Sequence, residues 1–130
     1  MTFHHIGIAT NDIEQLKEKL CNYLKIMEIS ETVYDKNQDA FLCMLTLENN
    51  VKMELISGHV VEGIIKKRQY LYHTCYSVKN INETITKLQE DGAFLVSPAK
   101  EAILFDNKKV AFLMWDLGLI ELLEESDDII

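Results

Sequence analysis

The chain opens with Phe3, His5, Gly7 and Ala9 alternating against His4, Ile6 and Ile8, a period of two that predicts a strand over residues 3–10. Asn11 or Asp12 then supplies a helix cap, and Ile13, Leu16, Leu20 and Leu24 recur at the spacing of one helical face. Strands are predicted around Glu31–Tyr34, over Ala40–Leu47 and over Val51–Ile56, with Asn49-Asn50 as a tight turn between the last two. After a connection over residues 58–69, with room for a short helical turn, the plan recurs. Leu71–Val78 reads as a strand, Asn80 caps a helix carrying Ile81, Ile85 and Leu88, and Gly92 ends it. Strands are predicted near Phe94–Val96, Ala102–Phe105, Lys109–Trp115 and Leu117–Leu123.

The repetition is a register as well as a list of elements. Ile13 matches Ile81 and Leu20 matches Leu88 at an offset of 68, the same offset that relates His5 to His73. The pattern therefore predicts an α+β chain of two tandem β-α-β-β-β modules. Module one is residues 1–57, the connector 58–69 and module two 70–125, with an acidic, solvated tail at 126–130. A single four-stranded half would leave one sheet face bare. The expected solution is two halves sharing a cup-shaped, partly closed mixed sheet.

Chemistry enters with four residues at matched places. His5 precedes Glu54 by 54 − 5 = 49 positions, and His73 precedes Glu121 by 121 − 73 = 48. Each glutamate stands among apolar neighbours, in Met-Glu-Leu-Ile and in Leu-Ile-Glu-Leu-Leu. A carboxylate buried in such a strand needs a cation, a proton or a metal beside it. Taken singly, a strand histidine or glutamate is more often structural; the duplication of all four is what points to a metal site on a pseudo-twofold axis. Such a mixed nitrogen and oxygen set suits one divalent ion, Co²⁺, Ni²⁺, Zn²⁺, Mn²⁺ or Fe²⁺, with open positions for a chelating substrate. His4 falls on the opposite strand face, and His59, without a duplicated partner, reads as a surface residue.

Composition narrows the partners. A net charge of −8 and a pI near 4.9 disfavour nucleic acid and anionic membranes. No apolar run approaches the ~20 residues needed to span a bilayer, and no signal-peptide pattern opens the chain. Cys21, Cys43 and Cys75 are scattered and odd in number, which fits reduced core cysteines in a cytoplasmic protein.

HIGIATNDIE, VKMELISG, HTCYSVKNINETITKL and VAFLMWDLGLIELLE resemble the openings and closings of the two modules of the vicinal oxygen chelate superfamily, the glyoxalase/bleomycin-resistance/dioxygenase fold. Within it the likeness is greatest to methylmalonyl-CoA epimerase-like proteins. The resemblance covers nearly the whole chain and implies His5, Glu54, His73 and Glu121 as ligands of one divalent ion. It further implies an isomerase that removes an α-proton from a 2-substituted acyl thioester such as methylmalonyl-CoA, and a homodimer. Glu121 and Glu31 are then the acid/base pair, although Thr32 aligns about as well as Glu31 with the family's second carboxylate. The loop before the last strand, Met114–Gly118, is shorter than the family's.

Two alternatives stand beside this reading. One is lactoylglutathione lyase (glyoxalase I), disfavoured because Arg68 is the sole arginine available to glutathione's carboxylates. The other is a metal-free binding or resistance protein of the same fold, with Trp115, Tyr34, Phe41 and Phe105 lining a groove. Extradiol dioxygenase chemistry is a distant fourth, since that class uses longer chains.

Overall fold

The computed structural model describes residues 1–125, so the acidic tail at 126–130 lies outside the described residues. Two compact units emerge. One is His5–Tyr72; the other takes Met1–His4 and the chain from His73 on.

In the first unit, strand β1 (Thr2–Ala9, in this unit from His5) leads to α1 (Ile13–Cys21), followed by β2 (Ile26–Ile29), β3 (Val33–Asp35), β4 (Ala40–Leu47) and β5 (Lys52–Ser57). Asp12 caps α1 by accepting from the Gln15 N–H at 3.0 Å. β5 lies between β1, which it pairs in parallel, and β4, which it pairs antiparallel. Both β2 and β3 pair the far side of β4. One face of this sheet packs Cys43, Leu45 and Leu55 against Ile13, Leu16 and Leu20 of α1. Alternation then sends Glu54 to the other face.

Helix α2 (His59–Lys66) follows β5, and β6 (Leu71–Val78) begins the second plan with α3 (Ile81–Glu90), β7 (Phe94–Ala102), β8 (Lys108–Trp115) and β9 (Gly118–Glu124). Asn80 caps α3 by accepting from the Glu83 N–H at 3.0 Å. β9 pairs β6 in parallel and β8 antiparallel, and β7 is antiparallel on β8. Ile81, Ile85 and Leu88 pack on Ala111, Leu113, Ile120 and Leu122. The topology of the first unit is thus repeated, with the single strand β7 standing where the first unit has β2 and β3. Adding 68 to the bounds of β4 reproduces those of β8, since 40 + 68 = 108 and 47 + 68 = 115.

Several expectations needed correction. The strand predicted around Glu31–Tyr34 is Val33–Asp35, and a further short strand, Ile26–Ile29, precedes it across three residues of irregular chain. Only Ile26 of β2 is even half-buried, so this edge strand carries no alternation to detect. The strand predicted at Ala102–Phe105 is a 3₁₀ turn over Ile103–Phe105, and β7 runs through to Ala102. Pro98 lies inside β7, which pairs only β8 within its unit and is irregular there, which is where a strand accommodates proline. The connector is an eight-residue helix rather than a short turn. Helix α1 stops at Cys21, leaving Leu24 beyond it and exposed. Cys43 and Cys75 are buried, but Cys21, at the exposed end of α1, is not a core residue. Asn49 and Asn50 do turn the chain with φ of 60° each. No helix is long and apolar enough to cross a membrane among the described residues.

Candidate metal-binding half-sites

The first unit places His5 and Glu54 together. Glu54 is the parallel partner of Gly7 across β1 and β5, so His5 sits one same-face position before it, a diagonal neighbour. The His5 Nε2 to Glu54 Oε1 distance is 3.5 Å, and both side chains are essentially excluded from solvent. The second unit builds the same thing with different residues. Glu121 is the partner of Cys75 across β6 and β9, His73 is two residues earlier, and Nε2 to Oε1 is 3.1 Å with both side chains buried. A spacing of 49 in one half and 48 in the other resolves to one identical register, because 7 − 5 and 75 − 73 are both 2.

The other flank of each glutamate is apolar. Met44 is the antiparallel partner of Glu54 and Phe112 that of Glu121. These two are themselves duplicated positions, since 44 + 68 = 112. Phe112 also meets His73 edge to face, with ring centroids 5.5 Å apart and an interplanar angle of 80°. Sequence reasoning passed over both residues, although the same offset that paired the histidines would have found them. On the inner strand the flanks are small, Gly7 beside Glu54 and Cys75 beside Glu121. Each half therefore offers one imidazole nitrogen and one carboxylate oxygen in a dry setting, a donor set suited to a divalent first-row ion.

Glu31 is placed differently. It is exposed, in the irregular segment between β2 and β3. On one side of it, the Ser30 hydroxyl accepts from the Met44 N–H at 2.8 Å. On the other, Thr32 donates to Glu14 Oε1 of α1 at 3.1 Å. Lys17 also reaches Glu14 at 3.0 Å; these bonds, that from Lys17 foremost, hold the Glu14 carboxyl below its ordinary range and the Lys17 ammonium above its own. The segment is thus fastened to α1. Buried Asp35 is a turn acid, accepting from the Asn37 N–H at 2.9 Å and from Gln38 Nε2 at 3.0 Å. His59 is exposed and contacts Glu62 at 3.2 Å.

The four aromatics proposed for a groove are divided between the two units. Tyr34 and Phe41 pair at 5.2 Å in the first unit. In the second, Trp115 packs with the α3 cluster, whereas Phe105 packs with Val110 and Phe112 and meets His4 at 5.7 Å.

Residues 4–112 match the family model for the Glyoxalase/Bleomycin resistance protein/Dioxygenase superfamily. No curated protein matches the chain by sequence. Methylmalonyl-CoA epimerase from Mycobacterium tuberculosis superposes with a TM-score of 0.82 at 19% identity, over 96% of this chain and 88% of that one. A variant of the Streptomyces coelicolor methylmalonyl-CoA epimerase, solved with 2-nitronate-propionyl-CoA, gives 0.75 at 14% identity, over 98% and 96% of the two chains. Glyoxalase I from Zea mays gives 0.69 at 18% identity, over 98% of this chain and 44% of the longer one. At these identities the likeness is one of fold.

Proposed function

The chain belongs to the glyoxalase/bleomycin resistance protein/dioxygenase superfamily, and from that premise we propose that it is a metal-dependent isomerase of acyl thioesters. The observation that carries this reading is the His–Glu pair built twice in one register. We assign His5, Glu54, His73 and Glu121 as the ligands of one divalent ion, and the permissive donor set leaves its identity among Co²⁺, Ni²⁺, Zn²⁺, Mn²⁺ and Fe²⁺. When bound, such an ion supplies positive charge against which negative charge on a carbonyl oxygen can develop.

The protein's own groups do the rest. Glu121 takes the α-proton of a 2-substituted thioester such as methylmalonyl-CoA, and apolar Met44 and Phe112, standing beside the two carboxylates, keep their surroundings dry. Epimerisation needs a second acid on the opposite face of the α-carbon, the role proposed for Glu31. Its seat in the short irregular segment between β2 and β3, where side chains are free of the sheet's alternation, supports that role, while its exposure means substrate must cover it. The expected product is a homodimeric, cytoplasmic enzyme acting on a small molecule.

Metal-loaded protein is expected to wash solvent deuterium into the α-position of methylmalonyl-CoA. Absence of exchange at high enzyme concentration would sink that substrate. Glu31→Gln should keep exchange while losing inversion; equal loss of both would remove Glu31 from the pair. The fold likeness to glyoxalase I supports a second reading as a lactoylglutathione lyase. Conversion of the methylglyoxal–glutathione hemithioacetal, without thioester exchange, would select it.

A further inference from the structure

Helix α2 ends in an unusual way. The Arg68 N–H donates to Ile65 O at 2.8 Å and the Gln69 N–H to Ile64 O at 2.9 Å, the paired bonds of a Schellman cap. Such a cap puts its first residue past the helix in the left-handed region, and Arg68 has φ of 57°. Helix α3 closes with the same two bonds, from Gly92 to Gln89 O and from Ala93 to Leu88 O, and there the residue is glycine with φ of 97°. Every other non-glycine residue with positive φ among those described is Asn or Asp, the types that tolerate it. Arginine is thus held where glycine or asparagine would end the helix at lower cost.

That arginine is the only one in the chain, and it completes the only run of three cations, Lys66-Lys67-Arg68. All three are exposed. Lysines near a helix C-terminus are explained by the helix dipole. An arginine in a strained position is not, and strain of this kind gathers at functional sites. The run is also fastened to the strand that bears His5. Two residues beyond Arg68, the Tyr70 carbonyl accepts from the Ala9 N–H at 2.7 Å. Ala9 is four residues along β1 from His5, about 13 Å at roughly 3.3 Å per residue.

We infer that Lys66, Lys67 and Arg68 dock the phosphate groups of a nucleotide handle on the substrate, at a distance from its reacting end. This rests on the acyl-thioester reading above and names the part of the substrate that would be held. In a chain of net charge −8, a polyanion needs such a local concentration of positive charge. A guanidinium meets phosphate in a fork geometry that lysine cannot reproduce.

The test is titration of the full chain, in excess chelator, with coenzyme A, pantetheine and glutathione. Wild type is expected to bind coenzyme A well above pantetheine, with an affinity that falls as salt rises. Arg68→Gly should weaken coenzyme A about tenfold or more and leave pantetheine unchanged, while raising Tm because the strain is relieved. Gain of stability with loss of binding separates a docking role from a structural one. Unchanged coenzyme A affinity in Arg68→Gly, or wild-type binding no tighter than to pantetheine, overturns the proposal. Glutathione binding that depends on Arg68, without coenzyme A binding, overturns it in favour of a carboxylate handle. Because the titrations exclude metal, a failure of the metal assignment leaves these outcomes readable on their own.

Discussion

Replacing Glu121 by alanine removes one oxygen donor from a pair that stands 3.1 Å apart in a setting with almost no solvent access. Tag-free wild type should carry about one divalent ion per chain by elemental analysis, and Glu121→Ala little or none, because loss of a ligand costs more than the roughly 10–100-fold that loss of an outer partner costs. Equal metal in both proteins would remove Glu121 from the ligand set. Tyr34 supports a second prediction at this scale. Its hydroxyl donates to Asp39 Oδ1 at 2.5 Å, and that bond, foremost, raises its pKa above the ordinary 10. A raised folded value favours the protonated form. The bond's contribution is therefore complete below about pH 10 and fades as pH climbs through the folded value. One tyrosine should titrate late by phenolate absorbance in the wild type and rejoin the others in Asp39→Asn.

The elements rest on local devices that single substitutions can remove. Asp12→Ala and Asn80→Ala each delete a side-chain acceptor at a helix start, and each should cost about 1 kcal/mol in denaturant unfolding. A cost near zero at either would mean that the sheet, and not the cap, sets where that helix begins. Gly58, between β5 and α2, has φ of 130°, and a Cβ there would lie 3.1 Å from Asp39 O and 3.3 Å from Ala40 Cα. Gly58→Ala should destabilise by roughly 1–3 kcal/mol. Elements with such punctuation were legible in the chain: both caps, the Asn49-Asn50 turn and the end of α3 at Gly92 stand where the residue types imply. β2 was not, because an edge strand packed on one side only carries no alternation, and neither was the continuation of β7 past Pro98.

For the whole molecule, metal binding should couple to folding, because no preformed site exists in the unfolded chain. Ion at about 100 times its Kd should add roughly 2.7 kcal/mol of stability and raise Tm, and chelator should reverse it. A Tm indifferent to every ion would move the protein to the metal-free members of its superfamily. The amino-acid sequence by itself determined the duplicated order of strands and helices, and the matched spacing of two histidines and two glutamates. Periodicity, caps and an offset of 68 are properties of the chain read along its length. Only the tertiary structure decided that Glu54 lies across from Gly7 and Glu121 across from Cys75, which turns spacings of 49 and 48 into one geometry. It also decided that Arg68 occupies a glycine's conformation and that Glu31 stands between two strands rather than within one. Parallel pairing arises from bonds between residues far apart in the chain, and no local pattern records which partner each strand will take.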